Sequence, residues 1–134
     1  MWTRLRVEPS SAVPIWRQIE EGVRMLLLGG SLSSGAAVPS VREMARELRV
    51  NPLTVLKAYQ RLIDQGLLAV RRGEGTYVAE IPSETVAEYR REILASSARE
   101  FAATARAMSS SLADAKQAVA RQWAELDAEK GGVQ

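Results

Sequence analysis

The stretch "VREMARELRVNPLTVLKAYQRLIDQG", residues 41–66, carries two helical patterns separated by Asn51-Pro52. Proline lacks a backbone N–H and its ring clashes with the preceding turn, so one helix cannot run through Pro52 undisturbed. The residue before a proline is pushed out of the helical region, which suits Asn51 to an N-cap, accepting from the backbone N–H near Thr54. Pro52 fits the first position of a new helix, where no partner is needed for the missing N–H. The chain must therefore stop one helix and start another across Arg49-Val50-Asn51. That is the length of the connection in a helix-turn-helix.

The neighbouring patterns fit this frame. The helix before the break starts at Ser40, which forms a capping box with Glu43. Its inner stripe is Val41, Met44, Ala45 and Leu48. The helix after the break has Val55, Ala58, Tyr59, Leu62 and Ile63 inward and ends at Gly66. Upstream, Pro14 opens a first helix with Ile15, Trp16, Ile19, Val23, Leu26 and Leu27 on one face. Arg17, Glu20, Glu21 and Arg24 fall on the other side, and Gly29-Gly30 stops the helix. Residues 31–37 read as a Ser/Gly-rich loop. After Gly66 the period drops to two: residues 67–70 and 76–79 read as strands around a glycine-bearing turn at 71–75. A short basic hairpin after a helix-turn-helix is a wing.

Ile81-Pro82-Ser83 marks a boundary, giving a domain over 1–81 and a tail over 82–134. From Glu84 the chain is Ala-rich with alternating charge, and a long helix is expected to about Met108. Val86, Ile93, Leu94, Phe101, Ala105 and Met108 share its face. Residues 109–111, all serine, break it. Ser111 with Asp114 then caps a last helix bearing Leu112, Ala115, Val119, Trp123 and Leu126. The expected fold class is mostly α with a small β wing: a winged helix-turn-helix domain plus a C-terminal two-helix tail.

Composition narrows the function. Among 134 residues there is no cysteine and no histidine. That removes thiolate chemistry, the commonest metal ligand and the commonest general base near neutral pH, so no enzyme, cofactor or metal site is expected. No apolar run reaches a membrane span and the N-terminus lacks a signal-peptide core, so a cytoplasmic location is expected. Residues 1–79 hold 11 Lys/Arg against 7 Asp/Glu, whereas residues 80–134 hold 7 against 9. The basic front part suits a polyanion, although an excess of this size also occurs on domains that never meet one.

On a DNA-reading helix the N-terminal part enters the major groove. Asn51, Pro52, Leu53, Thr54 and Lys57 cluster there, where the helix dipole also favours phosphate. Arg42 opens the preceding helix and is placed to take a guanine or a phosphate. Arg71 and Arg72 on the wing suit the backbone or the minor groove. Each has a plainer reading: Ser40, Asn51 and Thr54 as caps, Arg42 as a solvated charge, Arg71 and Arg72 as hairpin residues, Leu53 and Leu56 as scattered surface apolars. The order of the parts favours the DNA reading.

"PSVREMARELRVNPLTVLKAYQRLIDQGLL" followed by "RRGEGTYV" resembles the DNA-binding domain of the GntR family of bacterial transcriptional regulators. "VPIWRQIEEGVRMLLLGG" is similar to the first helix of that domain in the short-tailed YtrA subfamily. The resemblance covers about residues 5–80 closely and the tail more loosely. It implies a winged-helix repressor that binds double-stranded DNA as a homodimer on a palindromic operator. The implied DNA contacts fall on Ser40, Arg42, Asn51, Pro52, Leu53, Thr54 and Lys57, on Tyr59 near the phosphates, and on Gly73 and Gly75 at the wing tip. Two positions depart from the pattern. Leu53 stands where relatives usually carry a polar residue; it cannot hydrogen-bond a base, though it can touch a thymine methyl. Arg49 stands where relatives often have glycine.

The tail is too short to build a pocketed domain, and its simplest use is dimerisation through Ile93, Leu94, Phe101, Ala105, Met108, Leu112, Val119 and Trp123. Folding back on the winged domain is the plainer alternative. An effector, unidentified, would sit at the dimer interface or around residues 81–89. Two rival functions stand beside the regulator: a winged helix that binds protein, and a fragment of the pyridoxal-phosphate-dependent MocR branch, whose winged domain precedes an aminotransferase-like one.

Overall fold

The computed structural model describes residues 5–131. Five helices and one hairpin follow in order: α1 (Ile15–Leu28), α2 (Val41–Leu48), α3 (Pro52–Asp64), β1 (Leu68–Arg71), β2 (Gly75–Val78), α4 (Ser83–Ala107) and α5 (Leu112–Gly131). The chain divides into two compact units, Met1–Arg90 and Arg91–Gln134.

In the first unit α3 is the central element, with α1, α2 and β1 all packed on it. Ile19, Val23, Leu27 and Leu28 of α1 meet Met44 and Ala45 of α2 and Val55, Ala58, Tyr59 and Leu62 of α3 in the buried core. Leu67, Leu68 and Val78 extend that core under the wing. Each fully buried large aliphatic contributes about 1.5–3 kcal/mol relative to exposure, so α3 is anchored along its whole inner stripe.

The helix boundaries follow the capping chemistry. Ser40 Oγ accepts from Glu43 N at 3.1 Å, and the Glu43 carboxylate accepts from Ser40 N at 3.2 Å. Asn51 caps α3 by accepting from Leu53 N at 2.8 Å, one residue earlier than the expected Thr54. Gly30 (φ 88°) and Gly66 (φ 78°) end α1 and α3 in the left-handed region. Arg49 ends α2 in the same region without being glycine, at φ 57° and ψ 48°.

The wing strands are antiparallel, with Leu68 opposite Val78 and Arg71 opposite Gly75. Residues 31–37 form a loop, as expected, and its end pairs with the wing. Ala37 bridges Tyr77, Gly35 N donates to Val78 O at 2.8 Å and Val38 N donates to Thr76 O at 3.0 Å. This strip occupies the outer edge of β2 and satisfies backbone groups that the hairpin alone would leave open.

In the second unit, the end of α4 turns into α5 at Ser109 (φ 59°), and Ser110 N closes back on Ala105 O at 2.9 Å. Ser111 Oγ accepts from Asp114 N at 3.1 Å, the expected cap of α5. Neither α4 nor α5 has a buried residue. Among the described residues, no helix is long and apolar enough to cross a membrane, and no acidic cluster could hold a metal ion.

Candidate nucleic-acid interface

The buried stripe of α3 leaves an outward face of Leu53, Leu56, Lys57, Gln60, Arg61 and Asp64. Residues at i, i+3, i+4 and i+7 share a helix face, so Leu53, Leu56, Lys57 and Gln60 present one continuous strip. Leu53 is 70% exposed and Leu56 39% exposed. Thr54 is half-buried beside them, and Pro52 is exposed at the helix start. Ser40 and Arg42 are exposed at the start of α2, which packs against α3. The two helix N-termini are thus fixed by one core, each presenting the positive end of its helix dipole.

α3 is also held from behind by a polar cluster that the helical pattern of the sequence hides. Glu20, expected on the solvent side of α1, is 3% exposed. Arg61 Nε donates to its Oε2 at 2.8 Å, Gln65 Nε2 to its Oε1 at 2.6 Å and Arg24 to its Oε1 at 3.1 Å. Arg24 also donates to the Gln65 side-chain oxygen. Burial alone would push the Glu20 carboxyl up, but the hydrogen bonds from Arg61 and Gln65 and the charges of Arg61 and Arg24 outweigh it, so its pKa lies below the ordinary glutamate value. Next to this cluster, the Lys57 ammonium lies 4.4 Å and the Arg61 guanidinium 4.8 Å from the centre of the Trp16 ring. Both cations of the outward strip are drawn back towards α1 by the ring face. Only their partners 41 and 45 positions away, Arg61 and Gln65, would have betrayed Glu20 in the sequence.

Tyr59 corrects an expectation. It is 2% exposed and its hydroxyl donates to Pro39 O at 2.7 Å, so it faces the interior and not a phosphate. Burial pushes its phenol well above the usual tyrosine range, with Glu43 and Glu47 adding to the shift. Its role here is to tie the middle of α3 to the residue preceding the α2 cap.

On the wing, Gly73 (φ 78°) and Gly75 (φ 107°) make the turn, and both are exposed. Arg72 is exposed, while the Arg71 guanidinium stacks 4.3 Å over the Tyr77 ring. The Tyr77 hydroxyl donates to Glu74 O at 3.0 Å, which pins that ring against the hairpin turn. The wing therefore offers one free and one stacked guanidinium.

Residues 16–78 match the family described as bacterial regulatory proteins, gntR family. The HTH-type transcriptional repressor YtrA of Bacillus subtilis is 39% identical over 84 residues, which is 63% of this chain and 65% of that protein, just under two thirds of its length. The uncharacterized HTH-type transcriptional regulator YhcF of the same organism is 38% identical over 87 residues, covering 63% of this chain and 72% of that protein. A GntR family transcriptional regulator from Listeria monocytogenes shares the fold over 86% of this chain and 98% of its own, with a TM-score of 0.75 at 24% identity. The AraR DNA-binding domain, solved in complex with operator ORX1, superposes with a TM-score of 0.50 at 30% identity, over 56% of this chain and 93% of its own. With a recognition helix braced by three elements, a wing and these relatives, the chain belongs to the gntR family of bacterial regulatory proteins, and its winged helix-turn-helix is that family's DNA-binding domain.

Proposed function

We propose that the chain is a sequence-specific transcriptional regulator, a repressor, that binds a palindromic operator as a homodimer in the cytoplasm. The bare outward strip of α3, held rigid by the core and the Glu20 cluster, is the observation that carries this reading. Base contacts are assigned to Arg42 and Leu53, phosphate contacts to Ser40, Asn51, Thr54, Lys57, Arg71, Arg72 and the backbone at Gly73 and Gly75, and a van der Waals contact with the DNA backbone to Pro52. The repressor assignment follows the YtrA relative.

The homodimer rests on the tail. Leu94, Phe101, Met108, Leu112, Val119, Trp123 and Leu126 are all exposed. So many large apolar groups on two helices leave a surface that favours burial against a second copy. Two-fold pairing also matches DNA, because recognition helices must sit about 34 Å apart to read successive major grooves. A small-molecule effector, where one acts, would sit at the dimer interface or around residues 81–89.

Selection of bound duplexes from a random pool, with mass measurement of the complexes, tests the reading. The expected result is an enriched palindrome carrying two chains per duplex. Affinity should fall steeply with salt, since each phosphate contact releases counterions. Failure to enrich any sequence at low salt would overturn operator binding in favour of a protein partner for the α3 strip.

A further inference from the structure

The tip of the recognition helix is apolar where direct base readout needs hydrogen-bonding groups. Single exposed leucines are ordinary on any surface. Here Leu53 and Leu56 stand one turn apart on the strip assigned to the major groove, and the polar groups nearest Leu53 are partly engaged within the protein. The Asn51 side-chain oxygen is engaged by Leu53 N at 2.8 Å. The Lys57 ammonium sits over the Trp16 ring at 4.4 Å, turned towards α1. Thr54 is half-buried. What remains foremost is the Leu53 side chain, 70% exposed, with Leu56 behind it.

Unmodified base edges offer one apolar group in the major groove, the 5-methyl of thymine. A leucine set against a guanine O6 and N7, or a cytosine amino group, would strip water from those groups and return no hydrogen bond. Attraction to the methyl and rejection of the G·C edges therefore point the same way. Resting on the operator-binding reading above, we propose that Leu53, backed by Leu56, is a specificity-determining residue that reads a thymine 5-methyl group in each half-site.

The test uses the full chain and the palindrome recovered by selection. Each operator thymine is replaced in symmetric pairs by deoxyuridine, which removes only the methyl. At one thymine pair the wild type should bind about fourfold more weakly per half-site, or about 15-fold for the pair, as expected for one methyl returned to water. With Leu53→Ala the thymine-to-deoxyuridine ratio at that pair should fall towards one, while ratios elsewhere stay unchanged. Leu53 is exposed, so this variant keeps its fold, and the cycle isolates the contact from any general loss of affinity. Leu53→Asn should move the preference there to adenine. Equal binding of thymine and deoxyuridine duplexes at every position, or a ratio that Leu53→Ala leaves intact, would overturn the inference while leaving operator binding standing. Absence of binding to any duplex would remove the operator reading itself, and this inference with it.

Discussion

At the scale of single residues, Glu20 sets how firmly the recognition helix is held. Its carboxylate is buried while Arg61 and Arg24 lie nearer the surface, with side chains 48% and 28% exposed. Removing its charge leaves cations that water can still reach, so the cost stays below that of a stranded buried ion. Glu20→Gln should lower stability at pH 7 by about 1–2 kcal/mol, the worth of charge-assisted hydrogen bonds at a partly solvated site. The folded pKa is depressed, so this stabilisation is complete above the unfolded value of about 4.3 and is lost as the pH falls through the folded pKa. Urea midpoints taken between pH 7 and pH 3 should therefore show the wild type and Glu20→Gln converging in acid. A gap that stays constant across the range would mean that the carboxylate's charge does not brace α3. None of this was legible in the helical pattern of α1, which puts Glu20 with Arg17 and Glu21. Burial of a carboxylate depends on partners that only the tertiary fold brings to it.

At the scale of elements, the chain ends its helices in one way. A left-handed residue follows α1, α2, α3 and α4, and a backbone N–H then reaches five residues back: Ser31 to Leu26, Val50 to Ala45, Leu67 to Leu62 and Ser110 to Ala105. Glycine fills the left-handed position after α1 and α3, where it costs no Cβ strain. Arg49 and Ser109 fill it after α2 and α4. A residue with a Cβ in that conformation costs about 1–2 kcal/mol, partly recovered because glycine loses more entropy on folding. Arg49→Gly should thus raise the stability of the first unit by about 0.5–1 kcal/mol, read as a higher thermal midpoint with DNA sequence preference unchanged. A lower midpoint would show that the Arg49 side chain stabilises the turn by more than its backbone strains it. The capping residues Ser40, Asn51 and Ser111 were readable in the sequence because their partners lie two or three positions away. The strip at Gly35–Val38 was not, since its composition is that of a loop and its pairing is dictated by the open edge of β2, some 40 positions downstream.

At the scale of the molecule, one unit is closed and the other is open. The winged unit buries its apolar stripes internally, and the sequence periodicity of α1, α2 and α3 showed most of the residues that do so, though it missed Leu28 and leaves Leu26, Leu48 and Ile63 half-buried. The tail repeats the same kind of periodicity, yet Phe101, Val119 and Trp123 stay exposed in the single chain. Periodicity records that a face is to be buried, not what buries it. If a second copy does so, a charge placed on that face should separate dimerisation from folding. Phe101→Asp and Trp123→Asp each put a carboxylate where burial would strand it unpaired. Neither residue belongs to the core of the winged unit, so its thermal midpoint should hold. Sedimentation should show the wild type as a dimer and the variants shifted to monomer at micromolar concentration. Operator affinity should drop by at least tenfold, because a monomer holds one half-site and loses the gain of linking two. Half-site binding should persist with about half the salt slope, since half the phosphate contacts remain. Variants that stay dimeric and bind the full operator as before would place the subunit contact elsewhere and leave the tail's apolar face for another partner.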